Sequence, residues 1–184
     1  MYLFLFRYAS GHSYNYYYII EINGDKIGLI HNKNVNWENK SSESGIFIWN
    51  KDYLSTHTLL FASLCFCEIG FYIFQGGDSI IKVRKDNNRA TEYNKLLGFE
   101  LYDENYSDEF NLYILTKENF ELKSLKYRKL AMDLSDGDNK LYLDFNTSDK
   151  KNGIVNLFIK HYHVIPVPIN VIKENESYAF EIKV

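Results

Sequence analysis

The sequence predicts an α/β fold in which a central mixed, mostly antiparallel sheet is flanked by helices and followed by a β-rich C-terminal extension. The first observation is a series of strand-like segments before a long apolar segment at residues 59–74, which is typical of a buried helix. The second is a strand–helix–strand unit over residues 79–102. The third is the return of strand-like composition near the C-terminus. We expect residues 1–131 to form the main domain and residues 132–184 the extension.

Length and composition agree with one globular domain carrying an appendage. A chain of 184 residues suits a single domain of about 100–200 residues, and it can bury about 70% of its unfolded surface. The 16 Tyr and 13 Phe residues favour sheet-rich packing. A net charge of −3 gives no reason to expect a nucleic-acid partner.

The two most apolar segments do not predict a membrane protein. Residues 1–6 are apolar, but no basic region precedes them and they are too short for the core of a signal peptide. Residues 59–74 are interrupted by Ser63, Glu68 and Gly70, and the segment is shorter than the roughly 20 residues that a membrane span needs. We therefore expect a cytoplasmic chain with no membrane partner.

Two pairs of side chains have the chemistry of metal ligands. Cys65 and Cys67 stand two residues apart, so on a helix they point to nearly opposite faces, which disfavours both a shared metal and a disulfide. His161 and His163 share one face of a strand predicted over residues 154–163, but the sequence offers no evident third ligand. We expect no metal site.

The segments before the long helix are predicted to form a three-stranded antiparallel meander. Residues 14–22 and 26–31 are rich in strand formers, and the Asn23-Gly24 pair between them is a strong hairpin signal. Residues 45–49, with the sequence GIFIW, form a compact apolar strand that belongs near the centre of the sheet.

The clearest local pattern lies at residues 79–99. Apolar and polar residues alternate through SIIKVRK at residues 79–85, as in a half-buried strand. Asn87 and its neighbours supply N-cap acceptors for a helix, and Gly98 ends that helix. The apolar helix positions recur at three- and four-residue steps, at Ala90, Tyr93, Leu96 and Leu97.

These residues resemble the GCN5-related N-acetyltransferases, the GNAT superfamily. The family pattern runs from a strand Val to a turn Asn, then to an Ala in the helix and a closing Leu-Gly-Phe; here it is Val83, Asn87, Ala90 and Leu97-Gly98-Phe99. The order of predicted elements over residues 14–120 is also the one that the resemblance implies. The resemblance implies a GNAT-like fold and transfer of acetyl from acetyl-CoA to a primary amine in a ternary complex.

The resemblance also implies where acetyl-CoA binds. The strand backbone at Ile46, Phe47 and Ile48 would pair with pantetheine and polarise the thioester, and the loop and helix start over residues 50–58 would hold the pyrophosphate. This loop lacks the glycines of the family pattern. The implied cofactor-binding residues are Ile46, Phe47, Ile48, Ser55, Thr56, His57 and Asn87. Ser55 and Asn87 are equally suited to be plain helix N-caps.

Candidate catalytic residues follow from the same resemblance. The family often places a Tyr seven residues after the Asn, where it protonates the leaving thiolate; here that position is Asn94, and Tyr93 lies one residue earlier, about 100° around the helix. Tyr93 is also suited to the core. A general base must reach the acceptor ammonium, and His31, Glu43 and His57 are candidates, of which we select His31.

For the acceptor, the nearest subgroup implied is the one acting on amino groups of nucleotide-linked sugars for surface glycans or flagellin. Lys82 and Arg84, on one strand face, are candidates to meet the diphosphate. The alternatives are acetylation of a protein N-terminus or an amino acid, and a non-catalytic module that retains the fold. The N-terminal helices of the family do not fit in the first 13 residues. The extension is therefore a candidate to complete the acceptor pocket, to cover a sheet edge or to form a homodimer.

Overall fold

The chain is described by a computed structural model, from which the following architecture is taken. The described residues are 2–4, 15–22, 24–36, 38–54, 56–73, 76–134, 140–145, 151, 154–161, 169–174 and 177–183. Three residues singled out from the sequence, Asn23, Ser55 and His163, lie outside these ranges.

Seven of the described strands form the main sheet. They are β1 (Tyr2–Phe4), β2 (Tyr16–Ile22), β3 (Asp25–Asn36), β4 (Ser41–Ile48), β5 (Ser79–Arg84), β6 (Glu100–Asp103) and β7 (Phe110–Leu115), in the spatial order β1-β2-β3-β4-β5-β7-β6. Every neighbouring pair is antiparallel except β4 and β5, which run parallel. The predicted meander of β2, β3 and β4 and the mostly antiparallel mixed sheet are confirmed.

Three helices cover one face of this sheet. They are α1 (His57–Glu68), which continues into a π-helical turn at Ile69–Ile73, α2 (Asn88–Leu97) and α3 (Lys117–Leu134). Leu60 and Leu64 of α1 pack with Phe120 of α3 and with Ile81 and Val83 of β5. A second cluster joins three other α1 side chains to β2 and β3; its α1 members are Leu59, Ala62 and Phe66. The helix predicted over residues 59–74 is therefore the central element of the core.

The local signals of α2 account for both of its ends. The Asn87 side chain accepts a hydrogen bond from the Ala90 amide at 3.0 Å, as an N-cap does. Gly98 ends the helix in the left-handed conformation, with φ of 104°. A side chain at this position would also meet the Asn119 carbonyl oxygen, which lies 2.7 Å from an added Cβ. Only glycine satisfies both conditions.

The C-terminal residues form a separate three-stranded sheet and a helix. The sheet has the order β8-β10-β9, with β8 at Lys140–Phe145, β9 at Ile169–Glu174 and β10 at Ser177–Lys183. The strand predicted over residues 154–163 is wrong, because Ile154–His161 is a helix, α4.

The helical spacing of polar residues explains this correction. Val155 is buried, whereas Asn156 and Lys160, four residues apart, are both exposed, as on one face of a helix. His161 therefore ends a helix and does not share a strand face with another histidine. Within the described part of the chain, no helix is both long enough and apolar enough to cross a bilayer.

Candidate functional site

The site begins where two parallel strands separate. β4 and β5 pair only at Ser42 with Ser79 and at Glu43 with Ile80. Beyond that point β4 continues to Ile48 beside β3, while β5 pairs with β7 on its other edge. The second half of β4 therefore has one edge that no described strand covers. A wedge-shaped gap opens between the two strands toward their C-terminal ends.

The backbone of β4 directs alternate residues into this gap. The Ser42 amide donates toward β5, to the Asp78 carbonyl at 3.1 Å, whereas the Trp49 amide donates to β3 at 3.1 Å. Because backbone groups alternate along a strand, Ile46 and Ile48 present their N–H and C=O groups to the gap. Phe47, also predicted as a backbone contact, faces β3 with its backbone groups.

The helix α1 starts beside the open end of the gap. Its N-cap residue, Thr56, makes no side-chain capping bond, because its hydroxyl donates to the Tyr53 carbonyl at 2.9 Å. The amides of the first turn are thus left without a side-chain acceptor at this cap, and a helix start of this kind favours an anion. His57 is exposed, with its ring 5.3 Å from that of Phe61.

The starts of α1 and α2 are connected by one arginine. Arg89, in the first turn of α2, donates a hydrogen bond to the Leu54 carbonyl in the loop before α1. Asn87 lies immediately before α2, with its side-chain oxygen occupied by the cap. The structure therefore brings Thr56, His57 and Asn87 to the same end of the molecule as the open gap. Arg89 was not singled out from the sequence, where an exposed helix arginine carries no distinguishing signal.

A cavity of about 90 Å³ adjoins the gap on the helix side of the sheet. Its walls come from β2, β3, β4 and β5 on the sheet side, and from the C-terminal halves of α1 and α2 with the π-helical turn on the other. Both Tyr93 and Asn94 line it. The cavity could not be found from the sequence, because it depends on how far the two helices stand from the separating strands.

Tyr93 is held between the two helices. Its hydroxyl donates to the Leu59 carbonyl at 2.9 Å and lies 2.6 Å from the Ser63 hydroxyl. Burial raises the pKa of Tyr93 well above its usual value. Asn94 donates its side-chain amide to the Ala90 carbonyl at 2.8 Å, within its own helix. An amide of this kind cannot protonate a thiolate, so Tyr93 is the one of the two with acid chemistry.

On the opposite face of the sheet, His31 lies against the point where β4 leaves β5. An added Cβ at Gly45, its partner in the β3–β4 register, would be 2.7 Å from His31 Nε2, so the ring rests on the glycine. The Tyr17 ring lies 5.7 Å away. Nδ1 is buried and has no hydrogen-bond partner among the described residues. Burial, reinforced by Lys33, lowers the pKa of His31, so the imidazole is neutral at pH 7.

Glu43 and Lys82 bridge the two strands on this same face. Lys82 Nζ lies 2.9 Å from Glu43 Oε2, and it also lies 5.5 Å from the centre of the Tyr106 ring. The hydrogen bond to Glu43 raises the pKa of Lys82. Of the three predicted base candidates, His31 and Glu43 therefore meet near the strand separation, whereas His57 lies at the start of α1.

The charges predicted to meet a diphosphate already have partners. Lys82 is paired with Glu43, and Arg84 binds Asp86 through two hydrogen bonds of 2.8 and 3.0 Å. Both arginine and aspartate side chains are exposed. Among the described residues, no group of three or more potential ligands is placed to hold a metal ion.

Solved structures show which fold this arrangement belongs to. RimJ of Mycobacterium smegmatis, solved with CoA-disulfide, is 17% identical, with a TM-score of 0.55 over 64% of this chain and 60% of RimJ. The spermidine/spermine N-acetyltransferase SpeG of Vibrio cholerae is 17% identical, with a TM-score of 0.52 over 62% of this chain and 74% of SpeG. FdhC, described as a nucleotide-linked sugar GNAT, is 24% identical, with a TM-score of 0.52 over 61% of this chain and 63% of FdhC.

These likenesses show that the chain has the GNAT fold, as the pattern at residues 83–99 predicts. No protein-family model matches the sequence, and no curated protein matches it either.

Proposed function

We propose that this chain, which has the GNAT fold, transfers an acyl group from a coenzyme A thioester such as acetyl-CoA to a primary amine. The observation that carries the proposal is the gap between β4 and β5, into which Ile46 and Ile48 direct backbone groups that no described strand pairs. A ligand with its own amide groups, such as pantetheine, can complete this open strand edge. The uncapped start of α1 lies at the wide end of the gap and offers amides to the pyrophosphate.

The residues around the gap fit a thioester substrate. A backbone N–H of Ile46 or Ile48 donates to the thioester carbonyl and stabilises the negative charge that develops on its oxygen. The amine nitrogen attacks that carbonyl carbon, the carbon–sulfur bond breaks, and CoA leaves as a thiolate. A thiol with a pKa near 8.5 is a tolerable leaving group without an acid. This agrees with a structural role for the Tyr93 hydroxyl, which donates to a helix carbonyl.

His31 is the proposed general base. An amine must lose its proton before it attacks, and a neutral imidazole next to the strand separation can accept that proton. The lowered pKa of His31 keeps the ring neutral at physiological pH. Glu43 is less suited to the role because it is held by Lys82.

The direct test is binding of CoA and acetyl-CoA. If the ligand is present at 100 times its dissociation constant, it stabilises the folded state by about 2.7 kcal/mol, which a melting experiment detects readily. Isothermal titration should give one site per chain for both molecules. If millimolar acetyl-CoA leaves the melting temperature unchanged, the transferase proposal is wrong and the non-catalytic module is favoured.

For the acceptor, we propose the amino group of a nucleotide-linked sugar. Phe47 is 63% exposed and lies on the same face of β4 as Gly45, beside His31. An exposed aromatic ring near the base offers a surface on which a nucleotide base can stack. The Glu43 carboxylate on this face is paired with Lys82, so it is not free to bind a polyamine. The description of FdhC supports the same choice.

The acceptor proposal is tested with matched substrates. A UDP- or dTDP-linked amino sugar should be acylated at least about tenfold faster, in kcat/KM, than the free amino sugar and than spermidine. Phe47→Ala should raise the KM for the nucleotide sugar about tenfold, since base–aromatic stacking contributes roughly 1–3 kcal/mol. Leu101→Ala is the control, because Leu101 is 50% exposed on β6, away from the gap. Equal rates with the free sugar would rule out the nucleotide and leave the transferase proposal standing.

A further inference from the structure

The cavity on the helix side of the sheet is larger than an acetyl group requires. Its volume of about 90 Å³ is several times the roughly 10–15 Å³ that one water-sized sphere occupies. An acetyl group places one methyl carbon beyond the thioester carbonyl. The remaining space calls for a different occupant.

The cavity lies beyond the segment of the site assigned to pantetheine. Its lining takes in Ile46 of β4 and Ile81 of β5, one from each of the separating strands, so it adjoins the gap. Ser63 is the first described α1 residue that lines the cavity. It comes six residues after the helix start at His57 and therefore lies about 9 Å farther along the helix. With the phosphates at the helix start and pantetheine in the gap, the cavity receives whatever is attached to the sulfur.

The lining is mostly apolar and largely uncharged. Its wall includes Phe66, Phe71, Leu97 and Phe99, all buried. Among the described lining residues, Lys40, in the turn between β3 and β4, is the one with a formal charge at pH 7. An ammonium group or a phosphate would lose its hydration here with little charge to compensate it, which is strongly unfavourable. An aliphatic chain gains from the same transfer.

We infer that the donor carries an aliphatic acyl chain longer than acetyl, and that this chain enters the cavity between α1 and α2. The inference rests on the proposed transfer from a CoA thioester and names its donor class. The transfer step is unchanged: the amine attacks the thioester carbonyl, and CoA leaves with the sulfur.

The first experiment is a titration of the full chain with CoA, acetyl-CoA, butyryl-CoA and hexanoyl-CoA. Each methylene that leaves water for an apolar cavity strengthens binding by about fourfold. Hexanoyl-CoA should therefore bind at least about tenfold more tightly than acetyl-CoA, even if part of its chain remains in contact with water. The same order should appear in kcat/KM with a common amine acceptor.

A pair of variants at Cys67 distinguishes binding of the acyl chain in the cavity from nonspecific hydrophobic binding of longer chains. Cys67 lines the cavity, and burial, followed by the nearby Cys65, raises the pKa of its thiol to about 12, so it is uncharged. Cys67→Phe fills the space and should bring the ratio of hexanoyl-CoA to acetyl-CoA affinity close to one. Cys67→Ala leaves the space open and should retain the ratio. Gly70→Leu is a second filling variant, because an added Cβ at Gly70 meets no atom within 4 Å.

The outcomes separate this inference from the proposed function. If acetyl-CoA binds and hexanoyl-CoA binds no more tightly, the inference is overturned and the transferase proposal stands. If the filling variants fold, as judged by melting, and keep the preference for longer chains, the chain lies outside the cavity and the inference is also overturned. If no CoA ester binds, both proposals fail. A preference that Cys67→Phe removes and Cys67→Ala keeps supports the inference.

Discussion

Gly45→Ala tests whether the position of His31 controls the reaction. An added Cβ would lie 2.7 Å from Nε2 and 2.8 Å from Cε1 of His31, whereas ordinary contacts begin at 3.4 Å. The imidazole must therefore retreat by about 0.7 Å. A misplacement of about 1 Å in a reacting group can cost about 10²-fold in rate, so we expect kcat/KM to fall by roughly ten- to 100-fold. The obstacle is the end of a side chain, so the fold should survive.

The assay is steady-state acylation of an amine, measured across pH. The neutral imidazole is the active form, so kcat/KM should fall as pH drops through the pKa of His31, which burial holds below 6.5. Pushing the ring away from the strand exposes it to water and returns its pKa toward 6.5. The acidic limb of the profile should therefore move to higher pH in Gly45→Ala, while the melting temperature changes little.

The double variant with His31→Ala provides the control. Without the imidazole there is nothing for the added methyl group to displace, so Gly45→Ala should have little further effect in that background. An equal loss in both backgrounds would refute the reasoning, because it would show that the methyl group disturbs the strand or the substrate directly.

The lowered pKa of His31 also predicts how the stability of the protein depends on pH. Between the folded and unfolded pKa values of His31 the unfolded chain binds more protons, so the free energy of unfolding falls as pH decreases below about 6.5.

Three further variants test the helices around the gap. Tyr93→Phe should lower stability by about 1 kcal/mol, through loss of the bond to the Leu59 carbonyl, and leave kcat nearly intact; a 10²-fold loss in kcat would make Tyr93 the acid. Arg89→Ala should raise the KM for acetyl-CoA about tenfold at unchanged kcat, because we expect its guanidinium to bind the phosphates as well as the Leu54 carbonyl. Titration with CoA measures this loss of affinity. Arg128→Met should lower the free energy of unfolding by about 3–5 kcal/mol in urea, since it leaves the buried Glu68 carboxylate of α1 unpaired.

The strand–helix unit around α2 could be predicted from the sequence because its determinants are local. Asn87 caps the helix and Gly98 ends it, each through contacts with residues a few positions away. The helix α4 could not be predicted in this way. Its sequence, IVNLFIKH, is rich in β-branched and aromatic residues that favour a strand, and the periodic burial that makes it a helix depends on what Val155 packs against.

Individual site residues could be predicted from the sequence, but the contacts between them could not. His31 and Glu43 are both candidate bases from the sequence, yet the pairing of Glu43 with Lys82, 39 residues away, exists only because β4 and β5 lie side by side. The contact of His31 with Gly45 likewise depends on the register of β3 and β4. A shift of one residue in that register would turn His31 toward the helices, so the candidate base depends on the hairpin geometry before it.

The loop before α1, which we propose to hold the pyrophosphate, contains no glycine. The Asn50 side chain accepts a hydrogen bond from the Asp52 amide at 3.1 Å, and the chain then makes a 3₁₀ turn at Lys51–Tyr53. Thr56 directs its hydroxyl back to that turn and so makes no side-chain capping bond to the first amides of α1. In the usual loop, glycines let the backbone come close to phosphate. In the proposed site, side-chain hydrogen bonds hold the turn in place, so the conformational cost of ordering it is met on folding and not on binding.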